Sequence, residues 1–479
     1  MLSSRDRESR RHAWGYDFDW TPDHLTPEQL RPLMYSYDVL ATECLDRFDK
    51  LPLPPKPETT PENNNTDRKK TCPHPDYYHL LTHHHHQDPT LHQLWSDVTT
   101  IPPWVDWAQI ARGQQVFYRY AGPSIVALTF QSLLGGMGSH RVVETLARTG
   151  GFGVKVARRR LLETFQHILD VTADLASVQP GGKGFASSLR VRFLHASVRR
   201  RILHLTTASP AYYDAAAWGV PISDLDSVAT ILTFSATLIW IGFPRQGIFL
   251  RPHEAADYMA LWRWVAHVLG TPTHLFATPA RAKAAMESLL VSEIAPTATS
   301  QTLANNIIAG LQGQAPTFAS ADFLRAEAYW LNGPQLSRAL AIPRPPVYYT
   351  VLVAGQCLFF MTLCYVRRSV RAWDEAWIKR MRGLLLKMTL DQTDSQEATH
   401  AFQYIPSLGQ LTTAEAESAG LEPILKGGSG NGNKHVRGLW SRNVSIERRN
   451  LQAVLIASAV VGWLAWLGLR SASGLLQIF

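Results

Sequence analysis

Cysteine is scarce in this chain: among its 479 residues it occurs only as Cys44, Cys72, Cys357 and Cys364. No two of these form a Cys-x-x-Cys pair, and four cysteines in so long a chain do not indicate a disulfide framework. An apolar stretch near the amino terminus is also lacking, because the first residues lead into polar sequence. We therefore do not expect a secretory signal peptide.

Signatures of nucleotide and nucleic-acid binding are missing as well. The glycine cluster at 135–138 follows no strand pattern and precedes no Lys-Ser/Thr pair, so it predicts a tight turn between helices rather than a phosphate-binding loop. The sequence contains no zinc-finger or RNA-recognition motif. Its net charge of +8 comes from 47 basic and 39 acidic residues spread along the chain. This charge favours a negatively charged membrane surface or cofactor as partner, not nucleic acid.

What the sequence has in quantity is apolar residues at helical spacing. Hydrophobic residues make up 46% of the chain and include 15 tryptophans, enough for a large buried core. Few runs alternate with the period of a strand, so the pattern predicts an all-α fold. The predicted helices are Gln109–Tyr120, Ser124–Leu134, His140–Arg148, Val154–Leu175, Leu189–Thr206, Asp224–Ile241, Pro252–Val268 and Val347–Val366.

Composition divides the chain into five parts. Residues 1–50 are predicted to be an N-terminal helical extension, and residues 51–100 a mostly disordered insertion rich in Pro, Asn and His. Residues 101–390 form the large helical domain. Residues 391–450 are a polar, glycine-rich, basic linker that leads to an apolar helix at 451–470.

The apolar run from Leu451 to Leu469 contains no charged residue. As a helix it would be roughly 28 Å long, close to the hydrocarbon thickness of a bilayer. Arginines precede it and Arg470 closes it, and the larger positive charge on its amino-terminal side favours a cytosolic body with the tail crossing the membrane. The alternative is a buried core helix. The same two interpretations apply to Val347–Val366.

A single histidine stands out on the helix that contains residues 190–202. His195 falls on one apolar stripe with two valines and an isoleucine, and Arg192 and Arg199 lie on the adjoining flank. A neutral imidazole in an apolar cavity is able to ligate haem iron, with the guanidinium groups as partners for the propionates. The alternative is a core histidine hydrogen-bonded to a neighbour.

A polar face follows on the helix predicted over Val154–Leu175. Arg160, Glu163, Thr164 and His167 share one side of this helix, which either meets solvent or lines a cavity.

Glu144 is a carboxylate among apolar neighbours. If it is buried, desolvation raises its pKa and favours proton exchange near neutral pH. Otherwise Glu144 is a surface partner for Arg141 or Arg148 at helical spacing.

Several separated motifs, in this order, carry a resemblance to a known family. They are Gly122–Gly138, Val143–Gly150, Arg159–Thr164, Val191–Arg199, Gly219–Ile222, Phe234-Ser235, His253–Tyr258, Leu261–Trp264 and Leu269-Gly270. Together they resemble the DUF2236 group, which contains the bacterial rubber oxygenases (latex-clearing proteins) and the fungal ER-bound oxygenase mpaB. The similarity covers roughly residues 105–385.

The resemblance implies an all-helical core with globin-like packing that holds b-type haem through His195. It further implies that Glu144 is a base for an allylic proton, and that Arg160 and Thr164 lie over the distal haem face. Glu163 stands where the rubber oxygenases have a lysine able to occupy the distal axial position. An open sixth site, a different distal ligand and altered chemistry are all compatible with this change, so polyisoprene is not carried over as substrate.

These features predict a membrane-anchored, haem-b-dependent oxygenase that uses dioxygen on an apolar, prenyl-type substrate. His195 would ligate the iron, Arg192, Arg199 and Glu163 would contact the cofactor, and the domain would face the cytosol from the endoplasmic reticulum. Two alternatives are open: a non-catalytic haem-binding or structural membrane-associated helical protein, and an oxidoreductase that uses another metal.

Overall fold

The computed structural model describes residues 9–51, 76–149, 152–392, 446–452, 454–456, 458–460 and 463. Within these ranges, every regular element except one two-stranded hairpin is helical. The prediction of an all-α fold is therefore confirmed.

The elements follow one another along the chain with short connections. The amino-terminal part contains strands β1 (Arg10–Ala13) and β2 (Tyr16–Asp19) and helices α1 (Pro27–Leu30), α2 (Val39–Phe48), α3 (Tyr77–His84), α4 (Pro89–Thr99), α5 (Trp107–Arg119), α6 (Ala121–Ala127) and α7 (His140–Arg148). The central part contains α8 (Val154–Thr172), α9 (Leu175–Val178), α10 (Lys183–Ala208), α11 (Ala215–Trp218), α12 (Asp224–Phe234), α13 (Phe243–Arg245) and α14 (Pro252–Val268). The last part contains α15 (Pro279–Ser292), α16 (Ala298–Leu311), α17 (Ala321–Ala339), α18 (Val347–Ser369) and α19 (Arg371–Gln392).

Further short helices complete the described chain. Turns of 3-10 helix occupy Arg31–Met34, Pro210–Tyr212 and His274–Phe276, and residues 446–452 are helical. Two segments, Leu128–Leu134 and Leu238–Gly242, are π-helical.

Side-chain caps explain where many helices begin. An aspartate, serine or threonine accepts a hydrogen bond from a backbone N–H of the first turn, which satisfies a donor that the helix itself leaves free. This holds for Asp38, Asp76, Asp88, Asp106, Ser223, Thr278, Thr297 and Ser320. These eight helices therefore have starts fixed by local sequence.

The core consists of three apolar clusters. The largest contains the buried Trp262 and Trp264 of α14 and the residues of α5 that face them. A second lies among α16, α17 and α18, and a small third one contains Leu194 and Val198 of α10. The clusters meet around a cavity, because members of all three line it.

The amino-terminal region differs from the predicted helical extension. Its first element is a hairpin whose turn residues, Trp14 and Gly15, both have positive φ (52° and 75°), the geometry of a tight two-residue turn. Tyr16 and His24 then bind the buried carboxylate of Glu287 at 2.8 and 3.0 Å. The prediction of a helical extension is wrong for this part, because the alternation across the hairpin was too short to recognise.

Residues 76–100 correct the prediction of a mostly disordered insertion. They form α3 and α4, and Leu81, Leu91, Leu94 and Val98 are buried in the main core. Their helical spacing outweighs the high content of histidine and proline. The rest of the predicted insertion, residues 52–75, lies outside the described residues, as do residues 393–445 of the predicted linker and most of the predicted apolar helix at 451–470.

The boundaries of several helices match the periodicity closely. His140–Arg148 and Pro252–Val268 begin and end as predicted. The helix predicted over Asp224–Ile241 is interrupted at Ser235, whose backbone is not helical (φ −122°, ψ −82°), and then continues as a π-helical segment. The predicted helix over Ser124–Leu134 likewise becomes π-helical at Leu128.

Two helical stretches in the described part of the chain are long and apolar enough to cross a membrane. Asp224–Arg245 is 61% buried over its most apolar window, as expected for a core helix. Val347–Ser369 is only 33% buried over its own most apolar window. Length and composition alone do not distinguish a spanning helix from a core helix.

Gly113 lies where α5 packs closely against α14. A Cβ at this position would collide with the backbone carbonyl of Asp257, so the two helices approach more closely than an alanine permits. We expect Gly113→Ala to lower the free energy of unfolding by about 1–3 kcal/mol, measured by chemical denaturation.

The matched control for this substitution is Gly383→Ala on α19, where nothing lies within 4 Å of the added Cβ. Alanine there is expected to stabilise the helix by about 0.5–1 kcal/mol. Equal effects of the two substitutions would contradict the close helix crossing.

Candidate active site

A cavity of about 630 Å³ lies at the junction of the three apolar clusters. This volume is within the usual range for cofactor and small-molecule pockets, roughly 300–1,000 Å³. The wall is mainly apolar and draws on α7, α8, α10, α12, α15 and α17. The π-helical segment Leu128–Leu134 contributes several side chains, Phe130 and Leu133 among them. Such π-helical turns occur frequently at functional sites.

Helix α10 brings His195 into the wall of this cavity. Burial lowers the pKa of the imidazole to about 4, with smaller effects in the same direction from the Arg199 and Arg160 guanidinium groups. The ring is therefore neutral at pH 7. Among the described residues, no hydrogen bond engages either ring nitrogen of His195. A neutral imidazole with a free nitrogen facing a cavity is the form that ligates a metal.

His167 is a second neutral imidazole, on the adjacent helix α8. Its Nδ1 lies 2.9 Å from the hydroxyl of Ser187, and it is buried. Burial, with a smaller contribution from nearby His195, lowers its pKa to about 4. His167 is thus held by a hydrogen bond to Ser187.

Three polar residues predicted on one side of α8 do line the cavity: Arg160, Glu163 and Thr164. Glu163 is 2% exposed, and both of its oxygens are engaged by arginines. Arg160 Nη1 lies 3.0 Å from Oε2, and Arg159 Nε lies 3.0 Å from Oε1. Glu163 is therefore a charge-compensated carboxylate that holds Arg160 in the cavity wall.

Three other predicted residues are not among the described residues that line the cavity. Glu144 is paired with Arg148 Nη1 at 2.8 Å, at the helical spacing that the sequence offered as its alternative. Arg192 binds both carboxylate oxygens of Asp38, at 2.6 and 2.9 Å. Arg199 donates to the carbonyls of Pro221 and Ile222, at 3.1 and 2.8 Å.

The guanidinium groups in the wall are those of Arg158 and Arg160. Neither Arg192 nor Arg199 shares this position. Instead they tie α10 to the start of α2 and to the segment before α12. Sequence spacing indicated which arginines flank His195, but it could not indicate that Asp38, far away in the sequence, lies beside one of them.

Sequence reasoning also missed acidic residues of the wall. Asp226 and Glu293 line the cavity and share one buried cation, Arg141, at 3.1 and 2.8 Å. Burial raises the pKa of Asp226, and Arg141 opposes this shift. Glu327 lines the cavity as well. No local motif marks these residues, because their partners come from distant helices.

No group of three or more His, Cys, Asp or Glu side chains in the described part of the chain is arranged to hold a metal ion.

Comparisons with known proteins agree with this fold. No curated protein matches the chain. The chain is similar to the solved "Structure of Latex Clearing Protein LCP in the closed state", with a TM-score of 0.51 and 19% sequence identity over 78% of this chain and 95% of that chain. At this identity the similarity shows the fold alone.

The family described as "ER-bound oxygenase mpaB/B'/Rubber oxygenase, catalytic domain" matches residues 118–359, half of the chain. The matched range contains His195, Arg160, Glu163 and Thr164. The chain therefore belongs to the family of ER-bound oxygenase mpaB/B' and rubber oxygenase catalytic domains.

Proposed function

We propose that this protein is a membrane-attached, haem-b-dependent oxygenase that uses dioxygen on an apolar, prenyl-type substrate. The observation that carries the proposal is the ring of His195, which is neutral and has no hydrogen-bond partner among the described residues. It stands in the wall of an apolar cavity of about 630 Å³. Membership of an oxygenase family supports the same conclusion.

The residues of the cavity fit haem b. His195 would hold the iron through a ring nitrogen, and Arg158 lies in the wall as a cationic partner for a propionate. The bound cofactor would supply an iron centre that activates dioxygen. The apolar side chains around it would exclude water and accept an apolar substrate.

Arg160 and Thr164 are two donors on one side of α8 that an oxygen-containing ligand would meet in this wall. Glu163 orients Arg160 through its ion pair, and Arg159 balances the remaining charge of the carboxylate. Fixed donors in a water-poor site stabilise negative charge more strongly than they would in water. We therefore propose that Arg160 and Thr164 act directly on the reacting groups and that Glu163 is a positioning residue.

The role of Glu144 as a base stays a prediction. Its carboxylate is engaged by Arg148, and this contact would have to open before Glu144 could accept a proton from a substrate in the cavity. The same contact favours a second candidate function, a haem-binding protein without oxygenase activity. Dioxygen uptake by the haem-loaded protein with a prenyl substrate distinguishes the two.

An exposed apolar surface supports attachment to a membrane. In the C-terminal helical segment, Leu455 and Val460 are 60% and 49% exposed. This segment crosses α18 at Gly355, where a Cβ would collide with Val454. The nearby Val351 of α18 is exposed as well. Exposed apolar side chains are unfavourable in water, and Leu455 and Val460 belong to the apolar run of the sequence at 451–469, so we propose lipid as the partner of these side chains.

We further propose that the membrane is that of the endoplasmic reticulum, with the helical domain in the cytosol. The family description includes an ER-bound oxygenase. The arginines that precede residue 451 support this orientation.

His195→Ala tests haem ligation. The substitution removes the proposed ligating nitrogen, so we expect the purified variant to lose the Soret band and its haem content, quantified as the pyridine haemochrome. His204→Ala, an exposed histidine on the same helix, is the matched control and should keep full haem content. Equal haem content in both variants would exclude His195 as the ligand.

Arg160→Met tests the proposal that Arg160 donates hydrogen bonds to the reacting groups. Arg159 and Arg160 both pair with Glu163, but Arg159 is 49% exposed while Arg160 is 14% exposed and lines the cavity. We expect Arg160→Met to retain haem and to slow dioxygen consumption by about 10²-fold or more. Arg159→Met should have little effect. If both variants consume dioxygen at the wild-type rate, Arg160 has no direct role.

Substitution of the exposed apolar residues tests membrane attachment. In Leu455→Glu/Val460→Glu, two charges would enter the lipid-facing surface, so the protein should move from the membrane fraction to the soluble fraction after alkaline carbonate extraction. Val39→Glu/Val291→Glu changes two exposed valines elsewhere and serves as control. Membrane retention of the first variant would contradict this part of the proposal.

A further inference from the structure

One carboxyl group in the cavity wall has no cationic partner in the part of the chain that the structure describes. Four acidic residues line the cavity: Glu163, Asp226, Glu293 and Glu327. The first three pair with arginines. Within the described ranges, Glu327 forms no ion pair, although it is only 2% exposed.

Glu327 is held from one side by an amide. Gln356 on α18 donates a hydrogen bond through Nε2 to Oε1 of Glu327. The orientation of this amide is fixed by Asn450, whose Nδ2 donates to the Gln356 Oε1 at 3.0 Å. The second carboxyl oxygen, Oε2, has no hydrogen-bond partner among the described residues. Oε1 of Glu327 therefore already accepts a hydrogen bond, whereas Oε2 is available to a ligand.

Burial without a cationic partner determines the protonation state of Glu327. An ionised carboxylate without a cation is costly to bury, whereas the neutral acid is not. Burial raises the pKa of Glu327 to about 8, and the hydrogen bond from Gln356 offsets part of the shift. At pH 7 the acid is therefore mainly neutral. Because Oε1 already accepts from Gln356, the proton belongs on Oε2, which makes this oxygen a donor.

We propose that Oε2 of Glu327 donates a hydrogen bond to an oxygen atom of the substrate, which makes Glu327 a specificity-determining residue. The ligand class is then a long apolar molecule that carries an ether, carbonyl or hydroxyl oxygen, rather than a pure hydrocarbon or an amine. The inference rests on the proposed function only in taking the ligand to be apolar.

The surroundings of Glu327 support this class of ligand. Phe323 and Leu324 precede Glu327 on α17 and also line the cavity, so the donor is surrounded by apolar surface. A site that leaves a buried donor unsatisfied rejects ligands that lack the matching acceptor. A cationic amine would instead require the ionised carboxylate.

The test measures binding of three probes of equal chain length to the full-length protein in detergent by equilibrium dialysis. Decyl methyl ether only accepts a hydrogen bond, dodecane neither accepts nor donates, and undecylamine is a cation at pH 7. Partition into the detergent is the same for every protein variant. Differences between variants therefore report on the site.

We expect Glu327→Leu to weaken binding of the ether by about two- to tenfold and to leave binding of dodecane unchanged or stronger. Glu327→Gln keeps a donor of the same shape and should retain most of the affinity for the ether. Phe323→Leu is the control for general damage to the cavity and should weaken the ether and dodecane alike.

Two results would overturn the inference. One is an equal change of ether and dodecane affinity in Glu327→Leu. The other is a preference of the wild-type protein for undecylamine over the ether, which would show an ionised carboxylate and which needs no variant to fold. The assay involves neither haem turnover nor dioxygen, so failure of the proposed oxygenase activity would leave its outcome interpretable.

Discussion

The arrangement of this protein depends on keeping one imidazole neutral in an apolar cavity. Burial is the main cause of the lowered pKa of His195, and the cationic charge of Arg199 and Arg160 adds to it. The position of the ring depends on α10, and two arginines fix that helix. Arg192 binds Asp38 at the start of α2, and Arg199 binds backbone carbonyls before α12. The residues that flank His195 therefore stabilise the helix that carries it.

The acidic side chains of the cavity wall must also be compatible with poor solvation. Glu163 is neutralised by Arg159 and Arg160, and Asp226 and Glu293 share Arg141. Such pairing offsets part of the free-energy cost of desolvating acidic side chains in this wall. Glu327 differs from these three residues because it is a neutral acid rather than part of an ion pair, and Gln356 and Asn450 orient it. The polar groups of the site are thus held in fixed positions before any ligand binds.

Much of the fold was predictable from sequence, because apolar spacing defines helices such as His140–Arg148 and Pro252–Val268 locally. The presence of His195, Arg160, Glu163 and Thr164 around one cavity was also predictable, since helical spacing and the family motifs both point to them. The partners of Arg192 and Glu327 were not. Asp38 and Gln356 come from distant parts of the chain, and no local pattern reports such contacts. The π-helical segment at Leu128–Leu134 was missed because its apolar spacing resembles that of an α-helix.

The most direct test is an experimental structure of the full-length protein purified with added haem. The account predicts a porphyrin in the cavity beside α8 and α10, with its iron bonded to a ring nitrogen of His195. A macrocycle bound elsewhere, or a His195 ring packed against its neighbours with no space for a cofactor, would contradict the account.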